Sequence, residues 1–432
     1  MYGGYPVYVL GLAWLTVWSL IAGFSQNELM IDFCRAIQGL GPAAFLPSSM
    51  MLLGSTYRPG PRKNLVFSIY GACAPFGFFG GIFFAGLSAQ YATWRWYFWI
   101  GAILSMITAV IAYFTVPSDV DRNRSFGIKM DWWGAILIVS GLILFTFAII
   151  DSSHAPQQWK TPYIYITLIL GVLALAAAAY TEGWIAKQPL LPFSVFQVKG
   201  MLPLSFALFF TYGSLGIFLL YATFYCQDIM GASPLQIVGW YTPMAVGGCL
   251  ISTIGGFFLH IIPGTVLMII SALSWVVAPV LLAIAPAGAN YWAYIFPSMI
   301  CGTIGIDITF NVTNVFITTS LPQHQQGLAG AIIMILFQLS IAVLLGFAEI
   351  VNTYTRPKLG LKASYQAVFW FEVAAAVAAL IVLVLFVRIE KAHSDLSVEE
   401  REEAAALEAA GHGETLKEDG TSADTTMHTI GI

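Results

Sequence analysis

The chain has 432 residues, of which 58% are hydrophobic and 9% charged, with a mean hydropathy of +0.80; an average soluble domain is about a quarter charged, so a water-soluble globular protein is excluded. The net charge of −4 divides unevenly, since residues 391–432 hold ten Asp or Glu against Lys391, Arg401 and Lys417, leaving fifteen Lys or Arg against twelve acids in residues 1–390. No basic run or basic helix face is present, which excludes nucleic acid as a partner.

A helix crossing the hydrocarbon layer needs about 20 mostly apolar residues, because every backbone N–H and C=O must be paired inside the segment. Twelve stretches qualify, near 5–24, 29–53, 65–89, 96–116, 132–150, 162–184, 201–226, 236–259, 264–285, 291–316, 327–352 and 366–390. The first lacks a charged n-region and a small-residue cleavage site, so it reads as a span and not as a signal peptide.

In the second stretch Asp32 and Arg35 stand three apart near the outer end, where they are expected to pair along one helix face, and Gln38 continues the polar stripe. Ionisable groups within a span are costly and are functional candidates by default; an ion pair that fixes helix packing is the plainer explanation. The third stretch carries Gly71, Pro75, Gly77, Gly80 and Gly81. Gly77 and Gly81 form a GxxxG face suited to close helix contact, and Pro75 removes a helix hydrogen bond and permits a bend. A static packing seam and a hinge for alternating access fit this pattern equally. Trp94, Trp96 and Trp99 open the fourth stretch, as headgroup-layer aromatics do.

Further along, Gly247, Gly248, Gly255 and Gly256 repeat the small-residue pattern. Asp307 lies in the middle of its stretch, with Asn311 and Asn314 following at helical spacing, so one stripe of a carboxylate and two amides is expected to face inward. A carboxylate in an apolar site can exchange a proton near neutral pH, and an interhelical anchor is the alternative. Glu349 and Glu372 are expected at the membrane interface. Asn311-Val312-Thr313 matches a glycosylation sequon but lies inside a span. Beyond residue 390, Ser397 and Glu400 form a capping box for a short acidic helix through about Ala410, and the remainder has the composition of a disordered segment. A regulatory segment and a solvated end are both open there.

Positive loops stay cytoplasmic. With Met1 inside, inner loops hold Arg58, Arg62, Lys63, Arg122, Arg124, Lys129, Lys187, Lys199 and Arg388, against Arg95, Lys160, Arg356, Lys358 and Lys362 outside, which puts both termini in the cytoplasm. The five cysteines fall within apolar runs without CxxC spacing and the six histidines are scattered, so neither disulfides nor a metal site are indicated. No GxSxG elbow, Walker loop or other catalytic constellation is present, so no enzyme activity and no cofactor are expected. The missing Walker loop points to transport driven by an ion gradient.

Arg35-Ala36-Ile37-Gln38-Gly39 resembles the RxxQG motif of the proton-coupled drug exporters of the major facilitator superfamily, in which the Arg lies near the proton site. Gly71 to Pro75 with Gly80-Gly81 resembles the Gly-Pro motif of those antiporters, although Ala74 replaces the usual Gly before Pro. Trp94-Arg95-Trp96-Tyr97-Phe98 is similar to the signature opening their sixth helix, Asp131-Trp132-Trp133-Gly134 to the start of the extra helix pair between two bundles, and the segment from Gly305 to Thr319 to their twelfth helix. Together these resemble a fungal fourteen-span drug:proton antiporter of the aminotriazole-resistance type, over nearly all of residues 1–390. By this resemblance the first two helices of the family are absent, since the chain begins as though cut within the loop that follows them.

The resemblance implies an all-α membrane protein with a major facilitator helical bundle of about twelve transmembrane helices. Residues 1–116 would form a partial amino-terminal bundle of four helices, 117–199 a linking helix pair (132–184) with its loops, 200–390 a six-helix bundle, and 391–432 the acidic cytoplasmic tail. The implied activity is proton-coupled export of small toxic solutes by alternating access, acting as a monomer in the plasma membrane, with the vacuolar membrane as the alternative. Asp32, Arg35, Gln38, Asp307, Asn311 and Asn314 would line the proton and substrate pathway. Gly71, Pro75, Gly77, Gly80 and Gly81 would form the hinge or seam, and Gly39, Trp94 and Arg95 the signature. Trp240, Tyr241 and Phe310 are candidates for an apolar cavity wall. Uptake of a small nutrient or ion, and a non-transporting regulatory or binding role, remain the other two readings.

Overall fold

A computed structural model describes residues 3–56, 61–118, 131–186, 189–190, 194–198, 200–286, 288–320 and 326–389. The expected tail helix at Ser397 lies outside these residues, as do Arg58, Arg122, Arg124, Lys129, Lys187 and Lys199 from the orientation argument. Among the described residues the chain is helical throughout, without strands. The main helices are α1 Gly4–Gly23, α2 Glu28–Gln38, α3 Leu40–Thr56, α4 Pro61–Tyr91, α5 Trp94–Thr115, α6 Trp132–Asp151 and α7 Pro162–Tyr180. They continue as α8 Met201–Phe224, α9 Pro234–Ile261, α10 Gly264–Ala283, α11 Phe296–Ser320, α12 Gln326–Leu359 and α13 Leu361–Phe386.

Eleven helical stretches among the described residues are long and apolar enough to cross a membrane, with α2 and α3 together as one of them. The expected span at 236–259 is the 28-residue helix α9, whose residues 254–260 are described as backbone only. The expected span at 29–53 is interrupted at Gly39, which separates α2 from α3. Local chemistry sets several boundaries. The Asn27 side chain accepts a 2.8 Å bond from the Met30 amide and starts α2, and Asp131 accepts from the Gly134 amide at 3.0 Å to start α6; both satisfy donors that a helix N-terminus leaves unpaired.

Helix α1 packs against α3 and α5. Where α1 and α3 meet, a Cβ on Gly41 would stand 2.8 Å from the Gly11 carbonyl oxygen, so the close approach requires a residue without a side chain. Helix α8 packs between α12 and α13, and α10 between α11 and α13. Their shared core contains Tyr212, Phe218, Tyr221, Tyr225, Trp275 and Phe369, all fully buried. Of the apolar window in residues 201–229, 72% is buried, against 17% in 162–185. Helix α8 is therefore central, while the α6–α7 pair turns residues such as Ile166, Leu170 and Leu173 outward, as lipid contact demands.

Among the described residues, the main contacts that join α1–α5 to α8–α13 are α4 with α9 and α3 with α12. Helix α4 runs antiparallel to α9, with Pro75 against Gly248, Gly86 against Val238, and the Gln90 side chain accepting a 3.0 Å bond from the Leu235 amide. On the other side Gly330 of α12 rests against Pro47 and Met50 of α3.

Candidate functional site

A cavity of about 1140 Å³ opens between α1–α5 and α12. Six of the residues singled out in the sequence line it: Arg35, Gln38, Gly39, Gly77, Gly80 and Gly81. Ser19, Phe76, Phe84, Tyr97 and Phe98 extend that wall, and Ala331, Met334, Ile335 and Gln338 of α12 close the opposite side. Among the described residues that line it, Arg35 is the one that is charged.

The Arg35 guanidinium donates to Gln38 Oε1 at 3.2 Å and lies 5.8 Å from the centre of the Phe98 ring. Gln38 Nε2 in turn donates to Ser19 Oγ at 2.6 Å, so a relay from Arg35 through Gln38 to Ser19 ties α2 to α1. The expected Asp32–Arg35 pair is not formed. Asp32 is exposed and Arg35 bonds to the residue three positions further on. The expected GxxxG contact is also corrected: a Cβ at Gly77, Gly80 or Gly81 would meet nothing within 4 Å. These glycines leave room in the cavity and do not seat a neighbouring helix.

Gly71 and Pro75, earlier on α4, face a different partner. A Cβ on Gly248 of α9 would stand 2.7 Å from Pro75 Cβ and 3.0 Å from Asp307 Oδ2, and one on Gly71 would stand 3.8 Å from Asn311 Oδ1. The Asp307 and Asn311 stripe of α11 thus meets the Gly71 and Pro75 stripe of α4 across the small residue Gly248, where the two halves of the molecule touch. Ser252 of α9 also reaches the Asp307 carboxylate. Asn314 donates from Nδ2 to the Phe310 carbonyl at 2.8 Å within its own helix. Neither Asp307 nor Asn311 lines the cavity, so the candidate pathway residues form two groups.

Trp94 and Arg95 have a bracing geometry. Arg95 lies 5.2 Å from the Trp94 ring and donates to the Ser25 carbonyl at 3.1 Å, which holds the α1–α2 turn against the start of α5. Of the three aromatic candidates, Trp240 lines a second cavity of about 780 Å³, stacked at 5.1 Å on Tyr291. Tyr241 is buried in the core, and Phe310 lines neither cavity.

Of the two acids expected at the interface, Glu349 is half-buried and Glu372 is wholly enclosed. Glu349 lies ten residues before the end of α12 and accepts a 2.7 Å bond from the Tyr221 hydroxyl. Glu372 is the twelfth residue of the 26-residue α13, fully buried, with neither carboxylate oxygen hydrogen-bonded. The signal was present in the sequence: Tyr365, Phe369, Glu372, Ala376 and Ala379 recur at helical spacing on one buried face. Starting the span at 366 and not at Leu361 pushes Glu372 toward its end.

Residues 1–345 match the sequence profile of the Major Facilitator Superfamily. The chain is 36% identical over 360 residues to the low affinity ammonium transporter of Saccharomyces cerevisiae, covering 82% of this chain and 69% of that one. It is 33% identical over 394 residues to the efflux pump terJ of Aspergillus terreus, covering 89% and 75%. It is 31% identical over 360 residues to the aminotriazole resistance protein of Saccharomyces cerevisiae, covering 82% and 66%. Among solved structures, a crystal structure of a single-site mutant of the peptide transporter POT superposes with a TM-score of 0.60 at 13% identity, over 90% of this chain and 82% of that one, which shows a shared fold. This multi-pass membrane protein belongs to the Major Facilitator Superfamily of transporters.

Proposed function

We propose that the chain works as a proton-coupled exporter of small organic solutes, of the fourteen-span drug:proton antiporter type, by alternating access. The observation that carries this reading is the convergence of two separate sequence motifs, Arg35 to Gly39 and Gly77 to Gly81, on one apolar cavity in which Arg35 is the single charged residue among the described lining. Phe76, Phe84, Tyr97 and Phe98 give that cavity the apolar, aromatic wall expected for drug-sized solutes.

Residues 1–116 and 200–390 would rock against each other about the α4–α9 and α3–α12 contacts, with 132–184 as the linking pair. Asp307 stands at the first of these contacts, where protonation of a carboxylate can be felt by both halves, and Arg35 would tune the cavity. The plasma membrane, with both termini cytoplasmic, is the setting this reading requires. The relatives named efflux pump and aminotriazole resistance protein favour export; the one named low affinity ammonium transporter keeps uptake of a small cation as the second reading.

Purified protein in sealed vesicles with an imposed pH gradient separates the two, using aminotriazole and ammonium as probes. Export by exchange requires aminotriazole to move against its gradient as protons move the other way, and Asp307→Asn to abolish that movement at unchanged protein level. Accumulation of ammonium without aminotriazole movement would favour uptake. Flux of either probe that ignores the pH gradient contradicts proton coupling.

A further inference from the structure

Glu372 is a full carboxylate in the middle of α13, wholly enclosed, with both oxygens unpartnered. An ionised carboxylate enclosed in this way costs several kcal/mol, and a well-packed apolar residue in its place is commonly neutral or stabilising. Nothing in the packing of α13 needs the acid, whose neighbours on the same face are Phe369, Ala375 and Ala376. The neutral, protonated acid avoids the cost.

The surroundings are suited to handling a proton. Tyr225, directly after α8, packs its ring 6.1 Å from that of Phe369, one turn from Glu372, and its own hydroxyl is likewise buried and unpartnered. The Tyr241 hydroxyl of α9 is close enough to interact electrostatically with Glu372 and bonds to Thr223 at 3.0 Å. Toward the Ile229–Pro234 end, two further phenols hold acids: Tyr365 donates to Asp228 at 2.7 Å and Tyr221 to Glu349 at 2.7 Å, with their rings 5.8 Å apart. Tyr365 precedes Glu372 by two helical turns on one stripe, about 10 Å along the axis. Among the described residues, the titratable groups on the surrounding elements are Tyr212 and Tyr221 from α8, Tyr225, Cys226 and Asp228 from the turn that follows it, Tyr241 and Cys249 from α9, and Glu349, Tyr354, Arg356 and Lys358 from α12; α10 supplies none.

We propose that Glu372 is a proton-binding residue inside the six-helix half, separate from Asp307. Its part in transport rests on the proton-coupled reading above; its occupancy by a proton does not.

Dicyclohexylcarbodiimide, an apolar reagent that adds to protonated carboxyl groups, tests occupancy on the intact protein by peptide mass mapping. The carboxyl oxygen bonds to the carbodiimide carbon, its proton passes to nitrogen, and the adduct rearranges to a stable acylurea. Modification of Glu372 is expected, together with a protonated-carboxyl infrared band that Glu372→Gln removes. A Glu372 that stays unmodified while Asp307 reacts, with no band lost in the variant, overturns the proposal.

For the transport role, Glu372→Gln is expected to fold with at least wild-type thermal stability and to lose pH-driven movement of whichever probe the wild type carries. Full pH-driven flux in that variant overturns the role. If wild-type flux ignores the pH gradient while Glu372 still takes the reagent, the coupled-export reading fails and proton occupancy stands.

Discussion

Arg35 stands three residues from both Asp32 and Gln38, so helix spacing alone allows either partner. The structure chooses Gln38: the guanidinium lies beside Phe98 at the cavity wall, which Asp32 does not line. Replacing Arg35 with Ala removes a charge-assisted bond worth about 1.5–3 kcal/mol and leaves the Gln38 to Ser19 link intact. Transport is expected to fall at least roughly tenfold with normal protein in the membrane; retained flux would reduce the motif to packing. Gly80 makes the opposite test. Its Cβ direction is open, so Gly80→Leu is expected to leave the melting temperature unchanged and to block flux by filling the cavity. A loss of folded protein instead would mean that Gly80 is a packing residue. At this scale the sequence made the polar candidates legible by motif and by cost in lipid, but spacing could not say which glycines face a helix and which face space. Glu372 was missed for another reason: a five-residue error at a helix end moves a side chain from the middle of a span to its edge.

At the scale of elements, eleven of the twelve apolar stretches are membrane-length apolar helices among the described residues, legible because lipid imposes one rule on every span. The break at Gly39 was not, since an apolar run reads the same with or without a turn inside it. Contacts between distant helices were also hidden. Nothing in the sequence pairs Pro75 with Gly248, although both lie in glycine-rich segments, and that contact brings Asp307 to the junction of α4 and α9. Gly248→Leu is expected to force these helices apart, at about 1–3 kcal/mol for overpacking, with a lower melting temperature and lost transport; unchanged melting would show that the contact opens freely. A second element-scale test lies at the α1–α5 contact, where a Cβ on Gly23 would run into the Trp99 indole, itself packed at 5.3 Å on Phe24 and Trp96. Gly23→Ala is expected to destabilise by a similar amount, and Gly23→Ala with Trp99→Leu to recover part of the loss. Equal stability of wild type and Gly23→Ala would place the ring elsewhere.

For the whole molecule, the α4–α9 and α3–α12 contacts with the cavity beside them form the arrangement that the account depends on. Its central claim is that the Arg35 cavity is the passage for solute, reached in turn from each side of the membrane. The most direct measurement replaces the exposed Cys73 with Ser, introduces Gly80→Cys, and applies a membrane-impermeant thiol reagent to sealed vesicles from either face. The account requires position 80 to react from both faces, at rates shifted in opposite directions by an imposed pH gradient, with flux stopped once it is modified. Reaction from one face alone under every gradient, or undiminished flux after complete modification, would contradict it.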